Sequence, residues 1–236
     1  GVFTLDSLAF TLYGGRQRGA VTVDLSRDVP AYTIRTTITG LDVNRALAAT
    51  VNMPNVLLGT GAASGTVTGS GSTADVIERS LAGNLKLELR NGTLKNYPLL
   101  ANVNQLLGIT GGTGSDTRFE SLTATAVIGR GRAEVPDLAL QAGELRMLGR
   151  GTVKFDRMVD FRLHAILSGE KSQQFAQRLR PVGLARDAKG QIDIPITVRG
   201  SAMAPTTRVE VGTYAKQRVR EEIESGLLKL FDKDRP

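Results

Sequence analysis

Cysteine and tryptophan are both missing from this chain of 236 residues. Without a thiol there is no disulfide and no thiolate metal ligand, and the redox compartment stays open because oxidising and reducing spaces both tolerate such a chain. Histidine occurs once, at His164. It lies on the polar side of the alternating run Phe161, Leu163, Ala165 and reads as an exposed surface residue, since a histidine-based triad or a zinc set needs further members. Aromatic residues make up only 5%, which leaves little material for a sugar platform or a large aromatic pocket. No apolar run approaches the roughly 20 residues a membrane-spanning helix needs. The sequence opens at Gly1 on a strand-like stretch with no initiator Met and no signal-peptide pattern, so the expectation is a processed product or an excised fragment.

Phosphate-binding and nucleophile motifs are also lacking. Gly59-Thr60-Gly61-Ala62-Ala63-Ser64 misses the final glycine of a dinucleotide fingerprint, and Gly169-Glu170-Lys171-Ser172 has Glu where a phosphate loop needs Lys. Both read as turns. No Gly-x-Ser-x-Gly elbow occurs. Glu134, Asp137 and Glu144 read as solvated or turn carboxylates, because no apolar pocket that would shift their pKa values is visible around them. The expectation is a protein without catalytic residues, cofactor or metal, and so not an enzyme.

What is present describes a folded β chain. Hydrophobic residues are 41% and charged residues 22%, an ordinary globular balance, and 27 glycines suit a scaffold with many turns. The net charge of +7 and pI near 10.0 invite anionic partners. Basic and acidic residues interleave, however, as in Lys86-Leu87-Glu88-Leu89-Arg90, whereas a nucleic-acid footprint is dense and of one sign. Nucleic acid is therefore not an expected partner.

Apolar and polar residues alternate from end to end, the period of a strand with one dry face. The clearest run sets Leu85, Leu87 and Leu89 against Lys86, Glu88 and Arg90. Similar runs occupy residues 21–25, 32–38, 138–141, 159–165 and 191–199. Arg90-Asn91-Gly92 and Gly129-Arg130-Gly131 between such runs read as short hairpin turns, and residues 118–168 as a meander of four strands.

Short helices are predicted where Asp42 caps Val43, Leu47 and Val51, and where Ser72 and Asp75 form a capping box ahead of Ile77 and Leu81. Others are predicted from Pro98 (Leu99, Val103, Leu106, Leu107) and over residues 170–179, with a mobile Gly/Thr/Ser-rich loop at 108–117. The longest helical pattern spans residues 213–233. Val219, Ile223, Leu227, Leu230 and Phe231 lie on one side with charge opposite, which suits packing on its own domain or docking to a membrane surface or another protein.

The serial order of motifs resembles the C-terminal region of the AsmA family of bacterial envelope proteins, to which TamB is distantly similar. The resemblance starts at Gly19-Ala20-Val21-Thr22-Val23-Asp24-Leu25 and the strand ending Thr39-Gly40-Leu41-Asp42. It continues through Gly61-x-x-x-Gly65, Gly69-Ser70-Gly71-Ser72, and Ser80-Leu81-Ala82-Gly83 leading into Leu85–Gly92. Thr117-Arg118-Phe119, Pro136-Asp137-Leu138-Ala139-Leu140, Gly149-Arg150-Gly151-Thr152-Val153 and Ile194-Pro195-Ile196-Thr197-Val198-Arg199-Gly200-Ser201 follow in order. Ser201 stands where the family more often has Thr, and the basic terminal helix has no clear family counterpart.

The resemblance implies a mainly β fold with a few short helices, in which a curved antiparallel sheet forms a groove or open half-barrel, β-taco-like. The resemblance is expected to cover a β-groove domain over residues 1–212, and the amphipathic pattern adds a C-terminal helix over 213–236. The activity the resemblance implies is movement of phospholipid between inner and outer membranes, with acyl chains sheltered on an apolar β floor. The place it implies is the periplasm, within a longer protein held in the inner membrane by a missing amino-terminal segment. The residues expected to line the groove are Ile34, Ile38, Leu85, Leu87, Leu89, Leu138, Leu140, Phe161, Leu163, Ile192, Ile194 and Ile196. The same alternation describes a sheet packed against its own helices. An interaction module that assists outer-membrane protein assembly by strand addition is the alternative function.

Overall fold

Each of the alternating runs forms a strand, and each strand pairs antiparallel with its neighbours in the chain. The computed structural model describes residues 1–97, 99, 116–143, 145–167, 172–173 and 190–210. Within them lie β1 (Val2–Leu12), β2 (Gly15–Asp24), β3 (Ala31–Asp42), α1 (Val43–Val51), β4 (Leu57–Ser70), α2 (Ala74–Ser80), β5 (Ala82–Leu94), β6 (Thr117–Gly129), β7 (Arg132–Ala142), β8 (Leu145–Lys154), β9 (Met158–Leu167), β10 (Ile192–Ser201) and β11 (Ala204–Val209). The spatial order is the sequence order, β1 to β11, in one open sheet. The expected four-strand meander is β6 to β9.

Local chemistry explains most of the connections. Arg130 and Gly131 both have positive φ, 53° and 71°, as a two-residue hairpin turn requires. Asp42 caps α1 as expected, its carboxylate accepting from the Arg45 N–H at 3.1 Å. Val43 is buried and Leu47 packs on the core, but Val51, at the end of the helix, is exposed.

Several expectations are corrected. Arg90-Asn91-Gly92 is not a hairpin turn: Asn91, at φ 50°, and Gly92 form a bulge inside β5, two residues opposite Gly59 of β4. The Gly59–Ser64 stretch is likewise strand and not turn. The N-cap of α2 is Thr73 and not Ser72, and it makes no side-chain capping bond. Thr117 belongs to β6 and not to a loop; its buried hydroxyl donates to the Tyr97 carbonyl at 2.5 Å and accepts from Leu99 N–H at 3.2 Å. The predicted helices over 170–179 and 213–233, the residues after Leu99 in the helix from Pro98, and loop positions 108–115 lie outside the described residues, apart from Ser172 and Gln173.

The sheet is strongly coiled. Arg157, in the β8–β9 turn, reaches the carbonyl of Asn52 just beyond α1 at 3.4 Å, and the Tyr97 hydroxyl, just beyond β5, donates to the Ala202 carbonyl in the β10–β11 turn at 3.2 Å. In each pair the two residues sit at opposite strand ends and are separated by several strands spaced about 4.8 Å apart, so a flat sheet would hold them far from each other. Curling brings the late strands over α1 and the segment after it.

Glycines on the concave face allow this bend. A Cβ at Gly61 would collide with the Glu88 carbonyl oxygen, and one at Gly149 with that of Arg162, each on the neighbouring strand.

Candidate functional site

Register carries one apolar face across the whole sheet. Ile38 pairs with Ala63, Ala63 with Leu87 and Leu87 with Ala124, while Leu89 leads through Leu122, Leu140, Met147 and Ala165 to Ile194. Side chains alternate across a strand, so these rows define the inner face and place Lys86, Glu88, Arg90, Arg150, Arg162 and Arg199 on the outer one. The outer face carries the exposed ion pair Arg199–Asp160 at 3.1 Å, and His164 Nδ1 lies 3.0 Å from the Asp193 carboxylate. Asp137 is held below the ordinary carboxylate range by the Thr125 hydroxyl and then by its N–H, at 2.7 and 2.6 Å. Among the described residues no three His, Cys, Asp or Glu side chains are grouped to hold a metal, and no helix is long and apolar enough to cross a membrane.

The inner face has two parts. Towards the late strands it is closed, with Leu89, Leu140, Leu163, Ile192, Ile194 and Ile196 buried against α1, Met53, Val56, Tyr97 and Leu99. Inside this half a cavity of about 220 Å³ remains, walled by apolar side chains that include Leu87, Leu138, Leu140, Phe161 and Leu163 together with Met53 and Tyr97. Ligand pockets usually exceed about 300 Å³, so this cavity is a pit at the closed end and not a compartment for a whole lipid.

Towards β1 the same face is open. Phe3 (63% exposed) and Leu5 (60%) on β1 continue through Val23 and Val21 on β2 to Tyr32 and Ile34 (42%) on β3. Val67, Leu85 and Ile128 extend this strip half-buried across β4, β5 and β6. Gln17 interrupts it as a buried amide that donates to Thr36 Oγ1 at 3.3 Å.

Of the twelve groove residues expected from sequence, Leu87, Leu138, Leu140, Phe161 and Leu163 therefore line the pit. Ile34 and Leu85 lie on the open strip. Ile38 and Leu89 are buried on the same face, and Ile192, Ile194 and Ile196 are core with no free surface. The helix residues Val219, Ile223, Leu227, Leu230 and Phe231 lie outside the described residues.

The strand-like stretch expected at Gly1 is β1, but the sequence reading named none of its side chains among the groove residues. Its inward residues, Phe3, Leu5, Leu8, Phe10 and Leu12, break strict alternation between Leu5 and Leu8. Ser7, at φ 63°, supplies the bulge that returns Leu8 to the dry face. A run of alternation resumed after one extra residue was the signal available.

An open antiparallel sheet with an apolar inner face and a polar outer face is the class of structure this chain defines. Residues 1–138 match the AsmA family, and the chain belongs to that family. Membership points to a role connected with the cell envelope. The chain matches no curated protein and no solved structure.

Proposed function

We propose that the chain is a non-enzymatic lipid-handling segment that shelters phospholipid acyl chains on its inner face, on the periplasmic side of the envelope, during movement between inner and outer membranes. The observation that carries this reading is the uncovered apolar strip of Phe3, Leu5 and Ile34, continuous with the half-buried row Val67, Leu85 and Ile128. Each methylene removed from water is worth about 0.8 kcal/mol, so a strip of this kind holds a hydrocarbon tail without any directional contact. Native mass spectrometry of protein purified from a bacterial host tests it. Phospholipid that survives gel filtration supports the reading, and a clean protein mass overturns it.

Ile34 separates lipid binding from folding. It is 42% exposed, so Ile34→Lys is expected to change stability by no more than about 0.5 kcal/mol, as exposed positions do. A charge in the middle of the strip is expected to weaken lipid retention about tenfold, equivalent to about 1.4 kcal/mol. Retention equal to the parent chain would remove the strip from the lipid path.

The amphipathic pattern of residues 213–233 suits docking to a membrane surface or to an envelope protein. Flotation with liposomes containing anionic lipid is expected to carry the whole chain and to lose it when residues 213–236 are deleted. Equal flotation of both would exclude the membrane role.

A further inference from the structure

Gln17 is out of place on the inner face. It is 4% exposed, and the residues paired with it on either side are Phe10 of β1 and Ile38 of β3. Its Nε2 donates to Thr36 Oγ1 at 3.3 Å, while its Oε1, itself buried, has no hydrogen-bond partner among the described residues. A buried acceptor left without a donor is costly, and nothing in apolar surroundings calls for an amide.

The amide points into a slot. Gly19, Thr36 and Gly65 stand side by side across β2, β3 and β4. Both glycines are fixed by backbone approach: a Cβ at Gly19 would collide with the Arg35 carbonyl oxygen, and one at Gly65 with that of Asn84. The row is therefore low. It lies between the taller row of Val21, Ile34 and Val67 and the row that holds Gln17 and Ile38. A Cβ at Gly19 would also lie 3.1 Å from Gln17 Nε2, so the amide leans over Gly19 towards Thr36. The slot crosses the strands and leads on to Leu85 of β5.

We propose that Gln17 holds a hydroxyl group carried part-way along a lipid acyl chain lying in this slot. The inference rests on the acyl-chain reading above and adds a chemical class to it. A hydroxyl donates to Oε1. With the two ends of the amide exchanged it would instead accept from the N–H left in the same place, so it serves either orientation. The ester groups of an ordinary phospholipid have no hydrogen to donate. A headgroup does not suit the place either, because the flanking side chains, Val21 and Ile34 on one side and Phe10 and Ile38 on the other, are apolar and uncharged. A hydroxyl with hydrocarbon on both sides matches it. Phe10, opposite Gln17, is 48% exposed, and its ring can turn aside to admit the chain.

Isothermal titration calorimetry of the whole chain, with stearate and with stearate hydroxylated at mid-chain, tests the site; each acid is kept below its aggregation concentration. The hydroxylated acid is expected to bind about tenfold more tightly, the worth of one hydrogen bond to a desolvated acceptor. In Gln17→Leu the two acids are expected to bind alike, and the variant to melt no lower than the parent, since it removes an unpartnered amide from a dry site. Equal binding of both acids by the parent overturns the hydroxyl site and leaves the acyl-chain reading standing. A preference that survives Gln17→Leu overturns the site as well. Failure of the parent to bind either acid overturns both. The comparison on the parent decides the matter even if the leucine variant fails to fold.

Discussion

Replacing Gly61 with valine is expected to destabilise the chain by about 3 kcal/mol or more, at the upper end of overpacking effects. A Cβ at this position meets the backbone oxygen of Glu88 and, at 2.7 Å, the Cδ2 of Leu89. Leu89 is itself buried and cannot swing away, and a backbone carbonyl in a paired strand has nowhere to go. Relief requires β4 and β5 to separate or to lose their bend, and that bend brings the late strands over α1. The control is Gly129→Ala, where an added Cβ has nothing within 4 Å and the change is expected to stay within about 0.5 kcal/mol. Urea unfolding of the two variants beside the parent measures both. Equal midpoints for Gly61→Val and the parent would show that this glycine does not set the curvature.

The second large effect is a loss of stability at alkaline pH that belongs to Tyr97. Its ring is buried among the core side chains, and its hydroxyl donates to the Ala202 carbonyl. Burial penalises the phenolate and pushes the pKa up to about 12 from an ordinary value of 10.0. The folded pKa is the higher one, so this contribution is fully present below about pH 10 and is lost as the pH climbs towards about 12. Two units correspond to about 3 kcal/mol. The difference in unfolding free energy between the parent and Tyr97→Phe is therefore expected to shrink or reverse across this window. At neutral pH the same substitution is expected to cost about 1–3 kcal/mol, because the Ala202 carbonyl loses its donor in a dry site. A difference that stays constant from neutral to about pH 12 would place the Tyr97 hydroxyl in contact with solvent.

Tyr97 also bears on the groove. It lines the pit beside Met53 and Leu99 and ties the segment after β5 to the β10–β11 turn. Lys95, two residues earlier, is paired with Asp116 just ahead of β6, and Asp116 also accepts from Asn96 N–H at 3.0 Å. Together these contacts hold the closed half shut. In the proposed function, shelter for a long acyl chain then falls to the open strip, and for this reason the charged substitution tested above is placed at Ile34.

Alternation along the chain was enough to identify most of the strands, though not the glycine-rich β4, because a period of two puts Leu85, Leu87 and Leu89 on one face whatever else the chain does. The cap of α1 and the Arg130–Gly131 turn were legible for the same reason: each depends on residues within a few positions of one another. Asn91 showed the limit of such reading, since a positive φ serves a bulge as well as a turn and only the partner strand distinguishes them. Whether the dry face is covered could not be seen in the sequence at all. Ile34 and Ile194 obey the same alternation, yet one is 42% exposed and the other is fully buried. That difference comes from coiling of the sheet, which brings Arg157 to Asn52 and Tyr97 to Ala202 across 105 residues of chain in each case. Local patterning determined which side chains point inward; contacts between distant strand ends decided which of them meet protein and which stay exposed.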